Sequence, residues 1–274
     1  PQDDHLNFNI QFLRTLILLE KYNKAFNYVE KLSTENSNFT EANLLLGIKH
    51  FINEDYLNAE KYFKKIKKYE NGMYYLEIYF SDFLIAISKA AQNDKMASLE
   101  SLDLIPDSLN SLKKIQVALL HCHFDSPLTS SLLKELVTDE NSVFSRYYFF
   151  LTNYYIYKNN ITQAQAAIHE GKEKYYHNIL VRQTDDFLLK KDYKKIKFFF
   201  DCRDSKDLMA EFFYIIANLH SSEENYILSN FYLKLSLFLN KNFDSNKSLL
   251  AENFFEQGNI NEAKKIYFSI KKIG

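Results

Sequence analysis

One short pattern, a large residue followed three positions later by a small one, recurs about every 34 residues. It constrains the fold of this chain more than any other feature. In the first two copies, Tyr22 and Tyr56 stand 34 residues apart, and an alanine follows each of them three positions later. Because one helix pair cannot bury its apolar stripe alone, a period of this length predicts stacked pairs that share a continuous core. Eight such steps, separated by 34, 39, 33, 33, 32, 33 and 34 residues, are Tyr22…Ala25, Tyr56…Ala59, Lys95…Ser98, Leu128…Ser131, Ile161…Ala164, Tyr193…Ile196, Tyr226…Ser229 and Ile260…Ala263.

The scarcity of glycine and proline narrows the fold class further. The 274 residues include 5 Gly and 3 Pro, whereas all-β domains and α/β nucleotide folds need both residue types for turns and phosphate loops. The sequence therefore predicts an all-α protein of about sixteen helices, joined by short polar turns and without a sheet. The long apolar stretch from Met73 to Ala91 predicts an extended first helix in the third repeat.

The period and the repeated large-then-small pattern of this chain resemble those of the tetratricopeptide repeat (TPR) family. In that family a large residue closes the turn between helices A and B, and a small residue three positions on lets the two helices pack closely. That position is small in seven of the eight repeats, and Ile196 is the departure. The family's small helix-A position falls at Gly47, Ala86, Ala217 and Ala251, is intermediate at Thr152 and Thr184, and is large at Leu13 and Leu119.

The resemblance implies an all-α, right-handed α-α superhelix, a TPR-like solenoid of about eight helix pairs whose A helices line a concave face. Residues 1-274 would form a single repeat array that is part of a longer protein. A narrower pattern, Ala210–Ala217 followed by Ser248–Glu252, resembles long, mostly uncharacterised TPR proteins of alphaproteobacteria, some of them exported, and suggests a bacterial source. The expected repeats are 6-38, 39-72, 73-109, 110-142, 143-176, 177-208, 209-243 and 244-274.

The charge balance argues against nucleic acid as a partner. Lys and Arg number 34 against 35 Asp and Glu, which leaves a net charge of −1. The lysine run from Lys61 to Lys68 is interrupted by apolar residues at helical spacing, so it predicts a solvated helix face. Without an apolar run of about 18 residues, no direct membrane insertion is expected; the chain should be soluble, and cytoplasmic or, after loss of a signal peptide, periplasmic.

No group of residues in the sequence predicts catalysis. His121, Cys122 and His123 could supply zinc ligands, but adjacent helical side chains point about 100° apart, so a structural thiol at Cys122 is favoured. With Cys202 as the second cysteine, the sequence predicts no disulfide framework and leaves the redox compartment open. The Asp185-Asp186 pair is interpreted as a solvated helix face. We expect no catalytic residue, no metal and no cofactor, and therefore no enzyme.

Aromatic runs and the family register select a candidate partner groove. Four adjacent aromatic residues, Tyr147 to Phe150, cannot all face one side of a helix, so some are expected in the core and others on a groove or second surface. Asn153 and Asn218 occupy matching positions and could hydrogen-bond a peptide backbone. By the resemblance, the concave positions are Arg14 in repeat one; Arg146, Phe149, Asn153 and Tyr157 in repeat five; and Glu211, Tyr214 and Asn218 in repeat seven.

The function predicted by these features is a protein-protein interaction scaffold or adaptor. Its partner, a protein or peptide, would lie in the concave groove as an extended peptide or a helix. The alternative is a non-catalytic regulatory or substrate-binding segment of a larger enzyme or a cell-envelope assembly. The last helix carries an apolar stripe, which predicts self-association through the C-terminal end or further repeats after it. The stripe comprises Ala263, Ile266, Tyr267, Ile270 and Ile273.

Overall fold

The structure, a computed structural model, describes residues 2–34, 39–66, 75–138 and 145–270. These residues form sixteen α-helices and one 3₁₀ turn and contain no strand, which confirms the all-α prediction for the described part of the chain. The A helices are α1 (Gln2–Leu18), α3 (Thr40–Ile52), α5 (Tyr75–Ala91), α7 (Asn110–His123), α9 (Tyr147–Tyr157), α11 (Ile179–Leu189), α13 (Ser205–Ser222) and α15 (Asn246–Glu256). The B helices are α2 (Tyr22–Thr34), α4 (Tyr56–Phe63), α6 (Lys95–Asp103), α8 (Thr129–Thr138), α10 (Ile161–Lys174), α12 (Tyr193–Phe199), α14 (Tyr226–Leu239) and α16 (Ile260–Ser269).

The helices follow the predicted period closely. Seven of the eight B helices begin at the residue that opens the repeated sequence step. The exception is α8, which begins at Thr129 instead of Leu128. The 17-residue helix α5 confirms the extended first helix expected in the third repeat, within the residues that the structure describes.

The same backbone turn closes all eight A helices. At each turn one residue adopts a left-handed conformation, and its N–H donates to the carbonyl three residues earlier. The next N–H donates to the carbonyl five residues earlier, which completes a Schellman motif. The left-handed residues are Glu20, Glu54, Asn93, Asp125, Asn159, Lys191, Glu224 and Gly258. Glycine is the residue that this position favours, yet seven of the eight copies manage without it.

Helix caps fix where the B helices start. Directly after the left-handed residue, six B helices have an Asp or Asn whose side chain accepts a hydrogen bond from a backbone N–H in the first turn. This satisfies one of the N–H groups that a helix start leaves without a partner. The capping residues are Asp55, Asp94, Asn160, Asp192, Asn225 and Asn259.

Small residues lie where the helices approach most closely. A Cβ atom on Gly47 of α3 would lie 2.3 Å from a ring carbon of Phe63 in the partner helix α4, so the site admits only glycine without a shift. The small residue of the B helix is buried in six repeats; in the sixth the buried residue is Ile196, and in the fourth Ser131 is exposed, so the register assigned there is wrong. The Schellman turn there ends at Ser126, so the step lies one residue earlier than assigned, and the buried small residue of α8 is Thr129.

The chain forms two compact units. The first comprises Pro1–Leu109 with Phe213–Leu235, and the second comprises Asn110–Phe212 with Ser236–Gly274. Each unit contains contacts between repeats that are not neighbours in sequence. In the first unit, Lys234 Nζ of repeat seven lies 2.6 Å from Glu20 Oε1 of repeat one. Stacking of neighbours alone does not predict such contacts.

Two polar features in the second unit differ from expectation. Asp185, interpreted from sequence as part of a solvated face, is buried and forms an ion pair with Lys172, because α10 and α11 pack together at this point. Cys122 is not a thiol but forms a disulfide with Cys202, 80 residues further along the chain. Sequence gave no sign of this bond, since the two cysteines belong to different repeats and share no local motif.

Candidate protein-binding surface

Arg146, one of the eight expected groove residues, lies at the centre of a polar network in the second unit. Its guanidinium donates two hydrogen bonds, of 2.8 and 2.7 Å, to the carboxylate of Glu211, another groove candidate. It donates a third, of 2.8 Å, to Asn246 Oδ1, and it lies 4.3 Å from the ring centroid of Phe243. Burial raises the pKa of Glu211 above its usual value, although Arg146 opposes the shift. The two residues thus bind one another and link repeats five, seven and eight.

Phe149 and Asn153 are buried as well. Asn153 Nδ2 donates 3.0 Å hydrogen bonds to the carbonyls of Ile196 and Phe200, at the end of α12. The sequence predicted that this amide could hydrogen-bond the backbone of a bound peptide. In the structure it hydrogen-bonds the backbone of its own chain. The Phe149 ring packs against Phe243, with 5.2 Å between their centroids.

The whole aromatic run at the start of α9 is internal. All four residues from Tyr147 to Phe150 are buried, so the expectation that some lie on a groove or second surface is wrong. The reason is that α9 contacts α8, α10, α11 and α12, which leaves no face of its first turns toward solvent. The helical period shows that adjacent side chains point in different directions from the helix axis. It does not show how many other helices pack around that helix, and here four helices do.

Tyr157, at the end of α9, is the groove candidate of the second unit with the most accessible aromatic ring. It is half-buried, between the guanidinium of Arg203 at 4.1 Å and Lys197 Nζ at 4.8 Å from the ring centroid. Its hydroxyl donates to the carbonyl of Lys197 over 3.3 Å. Burial, with a smaller contribution from Asp201, raises the pKa of Tyr157 to about 12, so the phenol stays neutral at physiological pH.

A pocket of about 160 Å³ opens beside Tyr157. The disulfide forms one wall, and Arg203, held by two 2.8 Å contacts to the carboxylate of Asp201, forms another. Asp125 and Lys158, which are ion-paired with each other, complete the rim. Sequence reasoning missed Asp201 and Arg203 because they lie in the connection between α12 and α13, outside the helix-A positions of the repeat. It missed the disulfide because Cys122 in α7 and Cys202 in that connection are 80 residues apart.

The other three groove candidates belong to the first unit. Arg14 is partly exposed and pairs with Glu41 of the next A helix. Tyr214 is half-buried and Asn218 is exposed. The structure thus leaves Arg14, Tyr157, Tyr214 and Asn218 with accessible surface, and a partner role for them stays a prediction.

The C-terminal helix divides its apolar residues between core and surface. Ala263 and Ile266 are buried, whereas Tyr267 is 43% and Phe268 is 87% exposed. Ile273 of the expected stripe lies outside the described residues. Self-association through this end stays a prediction.

Comparisons with protein-family models and with curated proteins do not assign this chain to a family. No protein-family model and no curated protein matches this sequence. In the described ranges, no helix is both long and apolar enough to cross a membrane. The same residues contain no group of three or more His, Cys, Asp or Glu side chains placed to hold a metal ion.

Proposed function

We propose that this chain is a protein-binding helical-repeat scaffold, with its helix pairs stacked as a right-handed TPR-like superhelix. The period, the repeated Schellman turn and the small residues at helix crossings support the superhelix. The observation that carries the binding role is Tyr157, a rigid aromatic ring stacked with Arg203 at the mouth of a pocket. Tyrosine and arginine are the residues most often found at binding hot spots, where a pocket excludes water around them.

A crosslinking experiment tests this proposal. A photo-crosslinking amino acid replaces Tyr157 in cells that make the protein, and covalent adducts are identified by mass spectrometry. The bound protein is then titrated with purified wild-type chain and with the Tyr157→Ala and Tyr214→Ala variants. We expect each variant to weaken binding by about 1–3 kcal/mol without lowering the melting temperature appreciably.

Tyr176 provides a matched control. It is 57% exposed and lies 5.6 Å from the guanidinium of Arg182, so it repeats the ring–arginine pair without the pocket. Tyr176→Ala should bind the partner like the wild type. Equal affinity of the Tyr157→Ala and Tyr176→Ala variants would contradict the proposed surface.

The disulfide favours one version of the alternative function. Disulfides persist mainly in oxidising compartments, such as the bacterial periplasm. The Cys122–Cys202 bond therefore supports a scaffold that works in a cell-envelope assembly. Mass spectrometry of protein alkylated directly in cells would test this placement, since a cytoplasmic chain would carry two alkylated thiols.

A further inference from the structure

A second cleft, separate from the Tyr157 pocket, is formed within the second unit. Its volume is about 470 Å³. It is lined by α11, α12 and the turn between them, by the connection between α14 and α15 with the first turn of α15, and by Ser269 at the end of α16. The connection is fixed in place, because Asn240 Nδ2 donates a 2.8 Å hydrogen bond to the carbonyl of Phe199. The cleft is therefore preformed.

The cleft has an excess of positive charge. Four lysines and one aspartate line it, which gives a net charge of +3 in a chain whose total is −1. Lys195 and Lys247 have acidic neighbours, Asp192 at 3.1 Å and Asp244 at 2.6 Å. Lys190 and Lys241 are exposed and have no acidic partner among the described residues.

Phenylalanine rings line the same cleft as the lysines. Phe198 is 58% exposed, an unusual state for a ring of this size beside a cavity. Phe187 and Phe199 are half-buried and contact each other with 5.7 Å between centroids. Lys195 Nζ lies 5.0 Å from the Phe187 centroid, so one ligand could contact a ring and an ammonium group together.

The lysines and the phenylalanine rings together indicate what kind of ligand the cleft would bind. An excess of ammonium groups attracts carboxylates, and an exposed ring loses contact with water when an apolar side chain covers it. Accordingly, we infer that the cleft binds an acidic segment of a partner protein that carries an aromatic or large aliphatic anchor. The inference rests on the proposed scaffold function and adds to it a second contact and the charge of the partner.

The distribution of charge favours a protein segment over a nucleic acid. A nucleic acid strand presents a phosphate at every nucleotide and is held by a basic track along its length. Here the cleft itself holds two lysines without an acidic partner among the described residues, Lys190 and Lys241. At the Tyr157 pocket, by contrast, Lys158 and Arg203 each pair with an aspartate. A short acidic segment matches an isolated cluster of this size.

Fluorescence anisotropy with defined peptides tests the inference. The probe is a short labelled peptide of Glu, Asp, Gly and Ser with one central Phe. Two matched probes replace the acidic residues by Gln and Asn, or the Phe by Gly. We expect the acidic Phe peptide to bind best, and to bind at least about tenfold more weakly when NaCl rises from ~0.05 M to ~0.5 M.

Variants then locate the binding. Lys190→Glu combined with Lys241→Glu should reduce the affinity for the acidic Phe peptide by about tenfold or more, and Phe198→Ala by about tenfold. The matched control is Lys24→Glu combined with Lys134→Glu, which changes the net charge equally at two exposed lysines outside the cleft. Circular dichroism melting verifies that each variant folds.

Several outcomes would overturn the inference. These are no binding of the acidic Phe peptide at ~1 mM, equal binding of its uncharged counterpart, or equal loss in the control variant. Tighter binding of a single-stranded DNA oligomer of the same charge would replace the protein segment by nucleic acid. Tyr157→Ala should bind the peptide normally, so failure of the Tyr157 surface and failure of this cleft are separate results.

Discussion

The two compact units are built from the same helix pair but use different long-range links. In the first unit, the Arg14–Glu41 pair keeps some contact with water: Arg14 keeps 21% of its side chain exposed and Glu41 keeps 9%. In the second unit, the side chain of Glu211 has 0% exposure and that of Arg146 has 12%. The Cys122–Cys202 disulfide also belongs to the second unit. Both units thus pair an arginine with a buried glutamate, but the second unit buries the carboxylate completely and adds a covalent link.

Removing Arg146 is the strongest test of this difference. Arg146→Ala leaves the Glu211 carboxylate buried without its cation, so we expect a loss of about 3–5 kcal/mol in the free energy of unfolding. Arg14→Ala, the matched change in the first unit, should lose less, about 1–2 kcal/mol, because Glu41 keeps 9% of its side chain exposed whereas Glu211 keeps none. Urea unfolding measures both. Equal losses would mean that the two ion pairs are equivalent.

Opening the disulfide should have the next largest effect. Replacing Cys122 and Cys202 by Ser frees a loop of 80 residues in the unfolded chain, with an expected loss of about 2–5 kcal/mol. Hydrogen exchange should locate the loss in the second unit and leave the first unit protected. An unchanged exchange pattern in the second unit would show that the bond contributes little.

The half-buried carboxyl of Asp207 gives the second unit a pH dependence. Burial, aided by neighbouring acidic groups, raises the pKa of Asp207 to about 7 from 3.8. The folded state therefore holds this proton more tightly than the unfolded state, and stability falls as pH rises from about 4 to about 7, then levels off. The full change in pKa corresponds to about 4 kcal/mol, and partial exposure of the carboxyl reduces the expected loss to about 2 kcal/mol.

Asp207→Asn isolates this contribution. The amide oxygen can still accept the hydrogen bond from the backbone N–H of Asp201, at 2.8 Å in the wild type, but cannot ionise. The variant should match the wild type in urea unfolding at pH 4 and exceed it in stability at pH 8. A constant difference between the two proteins across that range would exclude Asp207 as the source.

The repeated turn should show the smallest effect, and a similar one in both units. Gly258 has a φ of 76° and no atom within 4 Å of a Cβ position, so Gly258→Ala should cost about 1 kcal/mol through backbone strain alone. Glu54, with a φ of 64° in the first unit, offers the reverse change. Glu54→Gly should be neutral or stabilise by up to about 1 kcal/mol in thermal unfolding. Destabilisation by Glu54→Gly would mean that the side chain matters more than the left-handed backbone.

The sequence by itself determined the helix pairs. Turn positions, helix starts and close crossings depend on residues within about five positions of each other, or on one residue facing its partner helix, as Gly47 faces Phe63. The residues at the turns, helix starts and close crossings therefore recur with a period of about 34 in the sequence. In the fourth repeat the turn ends at Ser126, one residue earlier than the assigned step requires, and there the sequence register was wrong by that one residue.

Only the tertiary structure decided which side chains are internal and which can meet a partner. Arg146 and Glu211 are 65 residues apart, and the two cysteines are 80 apart, so no local pattern relates them. Three of the eight expected groove residues, Phe149, Asn153 and Glu211, became buried for the same reason. The lysine cleft likewise gathers residues from separate repeats. Turns and helix starts depend on contacts between residues that are close in sequence. Burial depends on which sequence-distant segments pack together, and the 34-residue period alone does not specify that packing.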